Sequence, residues 1–287
     1  MSTKQPNFLF FFPDQHRPDW LGTHPDLPLR TPHLDQLGRQ GVRFTRTYCN
    51  SPLCAPSRAA LAAGKSYDRC GVVNNQDNYP LDQPTYYQAL QAAGYHVAGV
   101  GKFDLHKATL DWGQDGTRLI EEWGFDEGID NEGKFDGSRS YLNNGRQPQG
   151  PYLSYLKQRG LADAYCHEHA PEVRKPLLDA YTTCLPDDAY CDNWVADNGA
   201  RLMRGFPTGQ PWHLVLNFTG PHNPMDVTQS MRERWQDVDF PPPHDNSNPD
   251  REGLLRNHQN YAAMVENIDR QVGRLIDLVH ERGELEN

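Results

Sequence analysis

Cys54-Ala55-Pro56-Ser57-Arg58 is followed by Ala59, Ala60, Leu61, Ala62 and Ala63, and then by Gly64-Lys65. Proline suits the first turn of a helix and alanine and leucine extend it, so the run predicts a helix with Cys54 at its start. At such a terminus unpaired backbone N–H groups and the helix dipole favour an anion. A lone cysteine reads first as a buried, inert side chain; the adjoining Pro-Ser-Arg turns the reading toward chemistry. Three further residues stand just past apolar runs: Asp14 after Phe8–Phe12, Lys102 after His96–Gly101, and His222 after His213–Phe218. If those runs are parallel strands, all three lie at the carboxyl edge where open α/β sheets place their sites. A carboxylate there suits a hard cation with oxygen ligands, Ca²⁺, Mg²⁺ or Mn²⁺, although an aspartate after Pro13 is also an ordinary turn residue. Lys102 would pair with an anionic oxygen, and a histidine suits general acid work near neutral pH.

The elements that must hold these residues alternate between strand and helix, which predicts an α/β fold with a mostly parallel central sheet flanked by helices. Phe8–Phe12 is the first strand, read as a buried parallel one. Thr31 and Pro32 open a helix that Gly38 or Gly41 closes. Residues 42–48 read as a strand, and the Cys54 helix follows. Pro84–Ala93 is a helix closed by Gly94, and His96–Gly101 is a buried strand. Asp187–Met203 is helical, with Trp194, Val195 and Leu202 on its apolar face, and His213–Phe218 is a core strand. Apolar residues from Tyr261 to Val279 recur at three- and four-residue steps, giving a helix over 258–282 that Gly283 and Glu284-Leu285-Glu286-Asn287 end. Residues 106–186, rich in Gly, Asn, Asp and aromatics, read as a loop-rich insertion of the kind that carries recognition. Trp112, Trp123 and Tyr141 within it read as local core or as a platform for a sugar ring.

The chain has 287 residues, 28 Lys plus Arg against 38 Asp plus Glu, and a formal charge of −10. That length accommodates one large α/β domain. A net-acidic chain without a basic run gives no support for nucleic-acid binding. Mean hydropathy is −0.81, and no apolar run is long enough to cross a bilayer, so no membrane partner is expected. Phe8–Phe12 is too short for a signal peptide and lacks a small-residue cleavage site. The expectation is therefore a cytoplasmic protein with six reduced cysteines. Cys166-His167-Glu168-His169 is a weak zinc candidate, because consecutive residues cannot all face one ion.

The Cys54-Ala55-Pro56-Ser57-Arg58 run resembles the C-x-P-S-R signature of formylglycine-dependent sulfatases, in the alkaline-phosphatase-like superfamily. Ala63 stands where the signature has threonine. The Asp14-Gln15 pair resembles the branch of choline sulfatases and phosphonate monoester hydrolases, since many sulfatases have two aspartates there. Gly101-Lys102-Phe103-Asp104-Leu105-His106 looks like the family's Gly-Lys-x-His stretch, with Asp104 at the histidine position and His106 two residues on. Pro221-His222-Asn223-Pro224 resembles its Pro-His-x-Pro segment.

The resemblance implies an alkaline-phosphatase/sulfatase-like fold and hydrolysis of an organic sulfate ester, small or carbohydrate. The nucleophile would be formylglycine made from Cys54 by a formylglycine-generating enzyme. It implies a divalent metal, first of all Ca²⁺, held by Asp14, Gln15 and the residue-54 oxygen. It further implies catalytic roles for Arg58, Lys102, His222 and His106, and substrate contacts from Lys102, His222 and Asp104. It runs from Asn7 to Asn287, with 1–287 as the N-terminal catalytic domain. The strand carrying the family's second metal-ligand pair and the C-terminal subdomain are expected beyond Asn287, and a sheet lacking that strand would show an unpaired edge. Two alternatives stand beside the sulfatase reading: a phosphonate monoester or phosphodiester hydrolase with the same site, and a non-catalytic sulfatase-like module. Oligomeric state is not readable from the sequence.

Overall fold

The structure, a computed structural model, describes residues 5–170, 173, 180–243 and 250–286. In chain order the elements are β1 (Phe8–Phe11), α1 (Pro32–Gln40), α2 (Cys54–Ala63), α3 (Tyr86–Ala92), β2 (His96–Gly101), β3 (Glu127–Asp130), α4 (Lys134–Asn143), α5 (Pro151–Gln158), α6 (Ala162–Glu168), β4 (Ala180–Thr182), α7 (Cys191–Gly205), β5 (Trp212–Asn217), β6 (Met225–Val227), α8 (Gln229–Trp235) and α9 (Arg251–Glu281). The main sheet has the order β1-β5-β2-β3 and every pairing in it is parallel. A second, two-stranded parallel sheet pairs β4 with β6.

Parallel strands covered on both faces must be apolar throughout, and β2 and β5 are buried almost end to end. On one face Ala98, Val100, Leu214 and Leu216 pack with Val195 and Met203 of α7 and Ile268, Val272 and Leu275 of α9. On the other, Val97 and Val215 pack with Ala55, Ala59 and Ala62 of α2, Tyr87 of α3, and Trp123 and Phe125. α9 runs unbroken from an Asp250 cap that accepts from the Gly253 N–H at 2.8 Å. It begins seven residues before the expected 258, because Leu254 and Leu255 are the apolar residues of its first two turns and set up no apolar period. Asn287, expected in its tail, lies outside the described residues.

Two expectations are corrected by the structure. β1 is parallel as expected but only half buried, and β5 is its one partner among the described residues. Residues 42–48 form no strand: Val42, Phe44 and Tyr48 are 78, 80 and 87 % exposed, so their alternation meets no packing surface here. The segment 106–186, read as loop-rich, combines turns and loops, as over 110–126, with regular elements. It contributes β3 to the main sheet and folds into α4, α5 and α6, while its parts at 171–172 and 174–179 lie outside the described residues. Its glycines mark turns and caps between short elements; Gly133 and Gly150, for example, cap α4 and α5. Trp112, Trp123 and Tyr141 are all buried, which makes them core rather than a sugar platform. In the Cys166–His169 run, Cys166 is in the core and Glu168 accepts from Thr183 Oγ1 and the Cys184 N–H.

Glu132, which follows β3, binds the start of α5 through the N–H groups of Leu153 and Tyr152, at 2.8 and 3.4 Å. These are donors with no partner within their own helix. Complete burial pushes its carboxyl from 4.5 up to about 7, the backbone donors opposing. The native state thus holds this proton more tightly than the unfolded chain does. Stability should fall by on the order of 3 kcal/mol as pH rises from ~4.5 to ~7, and change little from this group outside that window. Urea unfolding across the window should show that slope in the parent and its loss in Glu132→Gln.

Candidate active site

α2 places Cys54 at its first position, with Leu53 as an extended N-cap and Gly64 (φ 62°) closing the helix. The Ala55 N–H in the first turn is taken by Asn75 Oδ1 at 3.0 Å, a partner that no sequence pattern announced. The strand ends bring the remaining groups in. Asp14 leaves β1 with its N–H on the Gly220 carbonyl, and Lys102 leaves β2 with its N–H on the Asn217 carbonyl, at 3.0 and 2.9 Å. That turn requires glycine at 101: φ is +110°, and a Cβ would lie 2.1 Å from the Asn217 carbonyl oxygen.

Around Cys54 Sγ stand Lys102 Nζ at 3.5 Å and the Asp14 carboxylate oxygens at 3.7 and 3.8 Å. Lys102 Nζ donates to Asp14 Oδ2 and lies 3.2 Å from Asp104 Oδ2. Arg58 reaches Asp14 Oδ2 at 3.5 Å and donates to Asn217 Oδ1 at 3.1 Å, its guanidinium 4.8 Å from the centre of the Phe12 ring. Burial opposes ionisation of Asp14, yet Lys102 and Arg58 outweigh it and hold the carboxyl far below the usual carboxylate range. Burial likewise opposes the charge on Lys102, and Asp104 and Asp14 more than restore it, so the ammonium persists.

Cys54 behaves in the opposite way. Burial raises its thiol above the ordinary value, and the charges of Asp14 and Asp104 add to that against Lys102. Reactive cysteines sit where the thiolate is favoured; this one is held as a thiol.

His222 lies on a loop fixed by Asp192, whose buried carboxylate accepts from the N–H groups of Thr219 and Gly220 and from Thr219 Oγ1, at 2.8 to 3.1 Å. Both flanking X–Pro bonds, Gly220–Pro221 and Asn223–Pro224, are cis. His222 Nδ1 is 2.5 Å from the Asn223 carbonyl oxygen, an acceptor, so Nδ1 is the protonated nitrogen and Nε2 is left as the acceptor. Burial and Lys102 lower its pKa. Asp192 was invisible to sequence reasoning, lying in the first turn of a helix far along the chain.

Two cavities meet at Cys54 and His222. One, of about 320 Å³, is lined by Asp14, Gln15, Ser57 and Arg58. The other, of about 190 Å³, is lined by Asn75, Lys102, Lys107, Asp136 and Asn223. The structure therefore brings Asp14, Gln15, Cys54, Arg58, Lys102 and His222 together. It does not bring Asp104 or His106 to either wall. Asp104 is 1 % exposed in a left-handed turn (φ 53°), its Oδ2 shared by Lys102 and Lys107. His106 is half-buried, and the charges that act on it are Arg118 and Asp111.

Among the described residues, Asp14, Cys54 and His222 form the group of potential metal ligands, their donor atoms within 4.8 Å of one another. Asp14 with Gln15 on the same wall and an oxygen at residue 54 suits one side of a hard cation's shell. The Asp14 carboxylate at present faces the cations of Lys102 and Arg58 instead.

A parallel sheet with a helix N-terminus, two cations and a carboxylate gathered at its carboxyl edge defines an α/β protein with a charged pocket at that edge. The sulfatase family model matches residues 6–287, and the chain belongs to that family. It is 24 % identical to an arylsulfatase of Clostridium perfringens over 99 % of this chain and 61 % of that protein. It is 26 % identical to a choline-sulfatase of Rhizobium meliloti over 96 % of this chain and 54 % of that one. The phosphonate monoester hydrolase of Agrobacterium radiobacter shares the fold, with a TM-score of 0.74 at 20 % identity over 98 % of this chain and 60 % of that one. The chain thus spans between a half and two thirds of the length of these relatives.

Proposed function

We propose that the protein hydrolyses an organic sulfate ester, with residue 54 as the nucleophile after conversion of Cys54 to formylglycine. The observation that carries this is the state of Cys54: at a helix N-terminus, 3.5 Å from a buried ammonium, yet held as a thiol by burial and by Asp14 and Asp104. A site built to use sulfur as nucleophile would lower that pKa. The hydrated aldehyde would supply one hydroxyl to attack sulfur and a second whose loss of a proton lets the aldehyde reform and sulfate leave.

This chain's own groups do the rest. Lys102 and the start of α2 offset the charge on the sulfuryl oxygens. Arg58, anchored by Asn217 and Phe12, holds Asp14 in place. His222 presents Nε2 to the reacting centre to move a proton there. A divalent cation, Ca²⁺ first among the candidates, would be held by Asp14, Gln15 and the residue-54 oxygen and would supply Lewis acidity. Lys102 then has Asp104 as its remaining carboxylate partner.

Hydrolysis of phosphonate monoesters with the same apparatus is the second reading, favoured by the Asp14-Gln15 pair and by the likeness to the Agrobacterium enzyme. Matched aryl sulfates and aryl phosphonates, assayed on protein co-expressed with a formylglycine-generating enzyme, separate the two. A higher kcat/KM on the sulfate is expected; a phosphonate preference selects the second reading. Intact mass of the Cys54 peptide should show the aldehyde. An unmodified thiol in every preparation, with no turnover, would leave a non-catalytic module.

A further inference from the structure

We propose that Lys107 is the residue that steadies the departing alcohol oxygen of the ester, and that Asp104 and Asp136 position it for this. The proposal rests on the hydrolase reading and goes beyond it, because the sequence resemblance assigned Lys107 no role and placed only His222 near the leaving oxygen. Lys107 follows a left-handed turn at Asp104, and its side chain is 10 % exposed. Its ammonium lies 3.1 Å from Asp104 Oδ2 and 2.8 Å from Asp136 Oδ2 in the first turn of α4.

An ammonium has three donors. Two are directed to these carboxylates, and the third remains for the cavity whose wall Lys107 shares with Cys54, Lys102 and His222. Burying a lysine is costly unless the charge is paired, so two carboxylates on one ammonium fix both its charge and its direction. Asp104 Oδ2 is also the second partner of Lys102. One carboxylate oxygen thus sets the spacing between the lysine proposed to contact sulfuryl oxygens and the lysine proposed to contact the leaving oxygen.

The two cavities divide the work. Asp14, Gln15 and Arg58 line the first, which takes the cation side of the ester, and the second takes the alcohol. As the bond from the residue-54 oxygen to sulfur forms, the bond from sulfur to the alcohol oxygen breaks and its electron pair stays on that oxygen. His222, unprotonated at Nε2, takes the proton of the attacking hydroxyl, and the departing oxygen takes its proton from water; Lys107 keeps its own protons and donates a hydrogen bond throughout. Burial works against its charge, but Asp104 and Asp136 keep it protonated.

The test is a series of aryl sulfates of graded leaving-group pKa plus one alkyl sulfate, or the matched phosphonates if those are preferred. It is run on matured parent, Lys107→Met, Lys107→Arg and Asp136→Asn, with thermal unfolding and Cys54-peptide mass as controls. Lys107→Met is expected to lose about tenfold on the 4-nitrophenyl ester and ~10²–10³-fold on the alkyl ester, which steepens the leaving-group dependence. Lys107→Arg should recover part of the loss, and Asp136→Asn should steepen the dependence with a smaller drop. An equal loss across the series from folded, matured Lys107→Met, or no loss, overturns the assignment of Lys107 alone. A matured parent without turnover on either ester class overturns the hydrolase reading and this proposal with it.

Discussion

Cys54→Ser should stop after a single chemical event, with kcat reduced ~10³-fold or more and one sulfuryl (SO3) group left on the protein as a serine sulfate. A serine hydroxyl at the start of α2 faces the same Lys102 ammonium, 3.5 Å from the present sulfur, and the same helix terminus. It can therefore attack sulfur. It lacks the second hydroxyl through which a hydrated aldehyde expels sulfate, so release would need water to attack sulfur at a site already occupied by the covalent ester. Acid-quenched intact mass after incubation with an aryl sulfate should show the stoichiometric adduct on Cys54→Ser and none on Cys54→Ala. Steady turnover by Cys54→Ser at the parental rate would overturn the aldehyde reading. Unmatured parent protein should be nearly inactive as well, because its thiol is held protonated by burial and by Asp14 and Asp104.

The sequence disclosed the site better than it disclosed the segments around it. Asp14, Lys102 and His222 were placed together because each follows an apolar run, and β1, β2 and β5 do end within a few residues of them in one parallel sheet. Punctuation by Pro and Gly likewise located α1 and α2. What stayed hidden depends on partners distant in sequence. Asp192 fixes the His222 loop from 27 residues away, and Asn75 takes an α2 N–H from 20. No local period marks such residues. Residues 42–48 misled for the converse reason, since alternation describes a strand only when another strand and a core lie beside it. Within 106–186 the short helices stayed hidden because capped helices have the same Gly and Asn content as loops. The family's histidine position carries Asp104, and only the fold shows that its carboxylate turns inward to two lysines.

Asp14→Asn should cost the most of any single change that keeps the nucleophile. Asp14 is 9 % exposed and answers two buried cations, Lys102 and Arg58. An amide of the same shape removes the anion and leaves both cations in place. Lys102 keeps Asp104, and Arg58 keeps the Asn217 oxygen and the Phe12 ring. Removing one partner of a buried ion pair typically costs about 3–5 kcal/mol, and the retained Asp104 and Asn217 contacts put the expected loss near the lower end. The pH dependence fixes the sign. The folded-state pKa of Asp14 is depressed, so its stabilisation is present above the unfolded carboxylate pKa of ~3.9 and is lost as pH falls below it. With a chelator present, unfolding curves of the parent and Asp14→Asn should lie furthest apart at neutral pH and converge below about pH 4. Added Ca²⁺ should then raise the parent's midpoint by mass action and leave that of the variant unmoved. Equal Ca²⁺ responses would remove Asp14 from the metal site, and parallel acid curves would mean that Lys102 and Arg58 do not depend on its charge. Activity should fall ~10³-fold or more, since the same carboxylate is proposed to hold both the cation and the two side chains that meet the ester's charge.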